Sequence, residues 1–188
     1  MKYISVLRGI NVSGQKKIRM ADLKELYQSL EFEGVSTYIQ SGNVIFQSSN
    51  MDKAELKRII EKEIEGKYDF HVPVTIRTEQ ELRGIIDSCP YEEAKIEENA
   101  TKVLVTFLQS TSSAQNQETL KKHVKSPEKL IILGKEVYLY CPNGYGKSKL
   151  SNTFIETKLG ISATTRNWKS VKKLCELSSQ HVGRISVA

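Results

Sequence analysis

Twice within 188 residues the apolar pattern changes period in the same order, strand, helix, two strands, helix, strand, and this repeated switch restricts the fold more than any single motif. Residues 3–8, YISVLR, form a β-branched and aromatic run closed by the loop GINVSGQKKIR. In MADLKELYQSLEFEG, Leu23, Leu26, Tyr27 and Leu30 share one helical face, and Gly34 is the expected stop. VSTYIQ and NVIFQS read as strands joined by a two-residue Ser41-Gly42 turn. AELKRIIEKEIEG sets Leu56, Ile59, Ile60 and Ile64 on one face with Gly66 past its end, and HVPVTIRT alternates through Val72, Val74 and Ile76.

The second round begins after a break. Thr78 and Glu81 form a capping box, so a helix is expected from Glu79 until Cys89-Pro90 ends it. The acidic, aperiodic stretch YEEAKIEENATK follows as a linker. KVLVTFL is then a strand apolar on both faces, SAQNQETLKKHV a helix, and KLIIL with EVYLY a hairpin about Gly134-Lys135. KSKLSNTFIETKLG aligns Leu150, Phe154, Ile155 and Leu159 before Gly160, and ISATTR is the last strand. A closing helix from Trp168 to about Leu177 would bury Trp168, Val171, Leu174 and Cys175.

The expected class is therefore α+β. Two tandem ferredoxin-like (βαββαβ, α-β plait) subdomains with antiparallel sheets occupy residues 1–78 and 102–178, the latter with the C-terminal helix. A helix and acidic linker fill 79–101, and 179–188 form a tail. Right-handed crossovers impose the strand order 4-1-3-2 in each sheet. That order places loops: Arg8-Gly9-Ile10-Asn11 beside Gln40-Ser41-Gly42-Asn43, and residues 142–148 beside residues 164–168.

Charge is segregated along the chain. The net charge of +6 comes from 28 basic and 22 acidic residues. Residues 1–20 carry Lys2, Arg8, Lys16, Lys17 and Arg19 without an acid, and residues 135–188 hold nine basic residues against three acids. Clustered cations concentrate phosphates and other anions, which makes the ends candidate binding surfaces. No run of about 18 uncharged apolar residues suggests a membrane span, and Arg8 comes too early for a secretory core, so a cytoplasmic protein is expected. Cys89, Cys141 and Cys175 contain no C-x-x-C pair and fit reduced thiols.

The strongest local signal is CPNGYGKSKL, a glycine-rich turn running from a strand into a helix that would begin at Lys147, Ser148 and Lys149. A helix N-terminus offers unpaired N–H groups to an anion, with Lys147 as counter-charge. It is not a Walker A loop, because Cys141 stands where that motif needs its first glycine. RGINVSGQKK is too loosely spaced for a dinucleotide fingerprint, but Arg8 at the end of a central strand, with Asn11, Gln40 and Asn43 facing it, makes a set of fixed donors. Arg166 and Asn167 add a fork donor and a helix cap beside Trp168. His71, His123 and His181 lack metal-ligand spacing, so no metal site is expected. The adjacent glutamates 92–93 and 97–98 read as solvated charge, and no serine sits in a nucleophile elbow.

LRGINVSGQKKIRMADLKEL, TYIQSGNVIF, NGYGKSKL and TTRNWKSVKKL, in this order, resemble the bacterial proteins grouped as domain of unknown function DUF1697. The resemblance spans Tyr3 to Leu177, with Ser13 in place of the family's second glycine in R-G-I-N-V-G-G. It implies two ferredoxin-like subdomains in a cytoplasmic bacterial protein, and brings no activity, cofactor or catalytic residue with it.

These observations converge on an expected anion site for a phosphate-bearing small molecule or nucleotide in a basic cleft between the two plaits. Arg8, Asn11, Gln40 and Asn43 would line one wall and Lys147, Ser148, Arg166 and Asn167 the other. Whether such a protein is an enzyme, and with what cofactor, is not written in these motifs. Two alternatives stand beside it. One is a nucleic-acid (RNA) binding module using Tyr3 and Phe46 on strands one and three, although the RNP-like aromatic spacing is poor. The other is a non-catalytic protein whose basic ends dock an acidic partner.

Overall fold

The computed structural model describes residues 1–49 and 51–180. Its elements follow the expected order: β1 (Lys2–Leu7), α1 (Met20–Ser29), β2 (Glu33–Tyr38), β3 (Asn43–Gln47), α2 (Lys53–Tyr68) and β4 (Val74–Thr78). After α3 (Glu79–Asp87) come β5 (Val103–Leu108), α4 (Ala114–Lys121), β6 (Lys129–Leu133), β7 (Glu136–Tyr140), α5 (Asn152–Leu159), β8 (Ala163–Asn167) and α6 (Trp168–Ser179). The two four-stranded sheets run β2-β3-β1-β4 and β6-β7-β5-β8, every pairing antiparallel. Both are the 4-1-3-2 order of the ferredoxin-like plait. The chain divides into two compact units, Met1–Leu82 with residues from Lys173 onward, and Arg83–Lys172.

In the first unit, the odd-numbered residues of β1 meet the helices. Tyr3 and Leu7 pack with Leu23, Leu26 and Tyr27 of α1 and Leu56, Ile60 and Ile64 of α2 in one apolar core. Ser5 lies among them and shares a 2.8 Å hydrogen bond with the Tyr27 hydroxyl, which satisfies two polar groups that water cannot reach. Ile4 and Val6, on the opposite face of the same strand, are buried as well.

The second unit repeats the design. Leu104 and Leu108 pack with Leu120, Ile155 and Leu159 on the helical face. All six residues of β5 are buried, as its unbroken apolar run requires. The acidic stretch after α3 is more structured than a linker: two 3-10 turns cover Glu92–Lys95 and Glu97–Asn99, and Tyr91, Ala94 and Ala100 are buried. Tyr91 donates its hydroxyl to the Tyr138 carbonyl, and Tyr138 donates its own to the Ile85 carbonyl, 2.9 Å away. Burial pushes both phenols up.

Several boundaries differ from the sequence expectation, each for a local reason. Helix α2 runs through Gly66 to Tyr68, because Asp69 takes the left-handed cap with φ 57° and bonds back to the Glu65 carbonyl. Helix α1 ends at Ser29 instead of Gly34, which instead opens a bulge between Glu33 and Ser36 in β2. The β2–β3 connection spans residues 39–42 and needs left-handed backbone at both Ile39 and Gly42, so Ser41-Gly42 is not a two-residue turn. The Thr78–Glu81 box forms as expected, with each backbone N–H donating to the other residue's side chain, at 2.8 and 3.1 Å. Helix α6 continues to Ser179, and the tail from residue 181, with His181, lies outside the described residues.

Candidate functional site

The loops brought together by strand order do meet. In the first unit the Asn11 amide donates to the carbonyls of Ile18 and Gln40, both at 2.9 Å, and its oxygen accepts from the Ile18 N–H. The side chain of Ile10 closes over Gly42, whose added Cβ would lie 2.5 Å from Ile10 Cδ1. Asn11 itself holds φ 56°, a conformation asparagine tolerates better than most residues. Asn43 is fully buried and donates to the Tyr38 carbonyl and the Ser41 hydroxyl. The Asn11 amide is thus spent on holding two loops together, and the Asn43 amide on closing the β2–β3 connection. Arg8 follows the end of β1, half-buried, with its N–H on the Pro73 carbonyl, while Gln40 is exposed.

In the second unit the glycine turn does not lead straight into a helix. Gly144 adopts φ 92°, Tyr145–Lys147 make a 3-10 turn, and Ser148 returns to extended backbone. The N–H groups of Lys147 and Ser148 already donate to Gly144 and Tyr145. The true helix cap is Ser151, which accepts from Phe154 N–H, so α5 starts five residues later than the motif suggested. Ser148 makes its own turn by accepting from Leu150 N–H at 3.0 Å. The expected helix-terminal cradle at Lys147 and Ser148 is therefore absent, because its donors close local turns.

Arg166 and Asn167 also serve the fold. Asn167 caps α6, accepting from Ser170 N–H at 2.9 Å. The preceding residue, Thr165, points to the helical face, where it bonds Thr106 and Asn152 and meets the Tyr145 hydroxyl. Arg166 therefore points to the other face, buried, with Nη1 on the Thr165 carbonyl. Burial pushes its guanidinium down to about 9, still a cation at neutral pH. Arg77 of β4 is a buried partner in kind that the sequence reading passed over. The signal was present: T-I-R-T at 75–78 and T-T-R-N at 164–167 end the fourth strand of each repeat.

What does come together in the second unit is a cationic cavity of about 470 Å³, open to solvent. The α4–β6 connection supplies His123, Lys125 and Glu128, and the β7–α5 connection supplies Asn143, Lys147 and Lys149. These segments meet because β6 and β7 form a hairpin, whose open end places the chain entering one strand beside the chain leaving the other. Among the described residues no carboxylate forms an ion pair with Lys125, Lys147 or Lys149, and Glu128 is the one acid in the lining. The signal for this cluster in the sequence is the KLIIL–EVYLY hairpin, which sets residues 123–128 beside residues 143–149, whereas the expected neighbours of Lys147 lie at the end of β8.

The aromatic platform considered for nucleic acid is not there. Tyr3 and Phe46 are buried, 1% and 0% exposed, with rings stacked at 5.6 Å inside the helical core. Cys141 is buried too, its thiol pushed up to about 11 by desolvation, which makes it a poor nucleophile. No helix among the described residues is long and apolar enough to cross a membrane.

Fold and site together define a tandem α-β plait protein with a basic cavity on its second repeat. The family model for proteins of unknown function DUF1697 matches residues 1–138, and the chain belongs to that family. Among solved structures, the conserved bacterial protein SP0830 from Streptococcus pneumoniae is similar, with a TM-score of 0.75 at 22% identity over 94% of this chain and 98% of that one. The match stands for a shared two-repeat fold. No curated protein matches the sequence.

Proposed function

We propose that the second unit binds a phosphate-bearing small molecule or nucleotide in the cavity between the α4–β6 and β7–α5 connections. One observation carries this reading: Lys125, Lys147 and Lys149 line one cavity, without ion-pair partners among the described residues, with His123 beside them. Three ammonium groups around a concavity give a phosphate a summed attraction that scattered surface lysines do not. About 470 Å³ suits a mononucleotide-sized ligand. Asn143 supplies a neutral donor that can fix orientation.

The free thiols of Cys89, Cys141 and Cys175 support work in a reducing bacterial cytoplasm, as does the likeness to a bacterial protein. Titration calorimetry with pyrophosphate, AMP and ATP tests the binding. The double variant Lys147→Glu/Lys149→Glu should weaken the best of these by at least about a hundredfold, since each reversal replaces an attraction by a repulsion. Equal affinity in the variant, or no binding of any of the three, overturns the reading.

A further inference from the structure

Strands β2 and β6 hold the same outer place in the two sheets, yet their edges are built in opposite ways. β2 is polar and bulged: Glu33, Gly34 and Ser36 are exposed, and its register shifts between Glu33 and Ser36. Charge and irregularity of this kind blunt an edge against pairing. β6 carries neither protection over Leu130–Leu133. It pairs with β7 in unbroken register, and Ile131 and Leu133 are 37% and 43% exposed. Among the described residues no strand covers its outer edge.

The turn decides which backbone groups that edge offers. Gly134, at φ 60°, opens a two-residue connection, so Leu133 and Glu136 form the closing hydrogen-bonded pair. Hydrogen bonding alternates along a strand, which leaves the N–H and C=O groups of Leu130 and Ile132 pointing outward. Their side chains meanwhile pack against the helical core, and the exposed side chains of Ile131 and Leu133 stand on the other face.

We propose that β6 pairs antiparallel with β6 of a second copy of this chain, across a twofold axis at Ile131. Leu130 of each copy would then exchange hydrogen bonds with Ile132 of the other, using the groups that face outward. Ile131 meets its own counterpart, and Leu133 lies against the aliphatic stem of Lys129. The charge pattern selects this register. Centring the axis on Ile132 sets Lys129 against Lys135 and Glu128 against Glu136, both like-charge pairs, and centring it on Leu130 sets Glu128 against Ile132. All three centrings are isologous, and of them the Ile131 register opposes neither like charges nor a carboxylate to an apolar side chain, since Glu128 there meets Gly134.

Sedimentation equilibrium on the full chain tests the pairing. Concentration-dependent dimerisation is expected below about 500 μM. Ile131→Lys should weaken it at least about tenfold by placing two cations on the axis, and Ile131→Thr, which keeps β-branching, should weaken it less. In a Cys89→Ser/Cys175→Ser background, Ile131→Cys should oxidise to a disulfide-linked dimer, while Leu133→Cys, which faces Lys129, should not. A chain monomeric throughout, a dimer that Ile131→Lys leaves intact, or equal cross-linking at both positions overturns the proposal.

Discussion

Arg77 and Arg166 stand at the same register position of the two sheets, Arg77 across from Ile4 of β1 and Arg166 across from Val105 of β5. Each is buried, each donates Nη1 to the carbonyl before it, at 3.1 and 2.9 Å, and each precedes the residue that caps the next helix. The repeat thus extends beyond apolar periodicity to a charged side chain turned away from water. A guanidinium is suited to this place because its charge is delocalised and weakly hydrated and its donors are fixed in a plane.

From that position follows the first prediction. Arg166→Met should change stability by about 1 kcal/mol or less, because losing hydrogen bonds is offset by no longer desolvating a cation. Arg166→Lys should cost more, since an ammonium is more strongly hydrated and lacks the planar fork. Urea denaturation measures both. Calorimetry on Arg166→Met should show pyrophosphate affinity unchanged, as Arg166 does not line the cationic cavity.

Asn11 secures two loops with one amide while holding positive φ. Asn11→Ala should destabilise the first unit by about 2–3 kcal/mol, combining lost hydrogen bonds with a strained backbone. Asn11→Gly, which relieves only the backbone, should fall between Ala and the natural residue. Shifts of the urea midpoint at constant slope would read this directly.

Two turn glycines with similar backbone should respond differently to alanine. At Gly42, φ 77°, an added Cβ meets Ile10 Cδ1 at 2.5 Å and Leu7 Cβ at 3.0 Å. At Gly134, φ 60°, the nearest atom is a Glu136 carboxylate oxygen at 4.0 Å. Gly42→Ala should cost about 3 kcal/mol, through overpacking added to strain, and Gly134→Ala about 1 kcal/mol, through strain alone. Thermal melts of both variants compare them.

Glu81 couples the start of α3 to pH. Burial would raise its carboxyl, but the Lys53 ammonium and the Thr78 N–H outweigh that and hold it below the ordinary 4.5. A carboxyl lowered in the folded state adds stability that is complete above its unfolded value and disappears as pH falls through the folded one. The natural chain should therefore exceed Glu81→Gln in stability at neutral pH, and the gap should close as pH falls below the ordinary 4.5 and through the lowered folded value. Urea midpoints across that range check the sign.

The element order, the strand order and the pairing of loops at the ends of the sheets were all legible in the sequence, because alternation and helical spacing record which side chains must leave water. The Thr78–Glu81 box was legible for the same reason of locality: both partners lie within one turn. Asn11, Asn43 and Ser148 are legible by type as turn-formers or as ligand contacts, but type does not say whether their hydrogen bonds are already used within the fold. That depends on Ile18, Gln40, Tyr38 and Leu150 arriving within reach.

Sequence alone therefore determined the two plaits and their order, since burial of apolar surface is encoded by spacing along the chain. Tertiary structure decided which polar groups remain for a ligand. It spent Arg166 and Asn167 on the fold and gathered Lys125, Lys147 and Lys149, from both flanks of one hairpin, around a shared cavity. A polar group's availability is set by neighbours brought from elsewhere in the chain, and one-dimensional spacing carries no record of them.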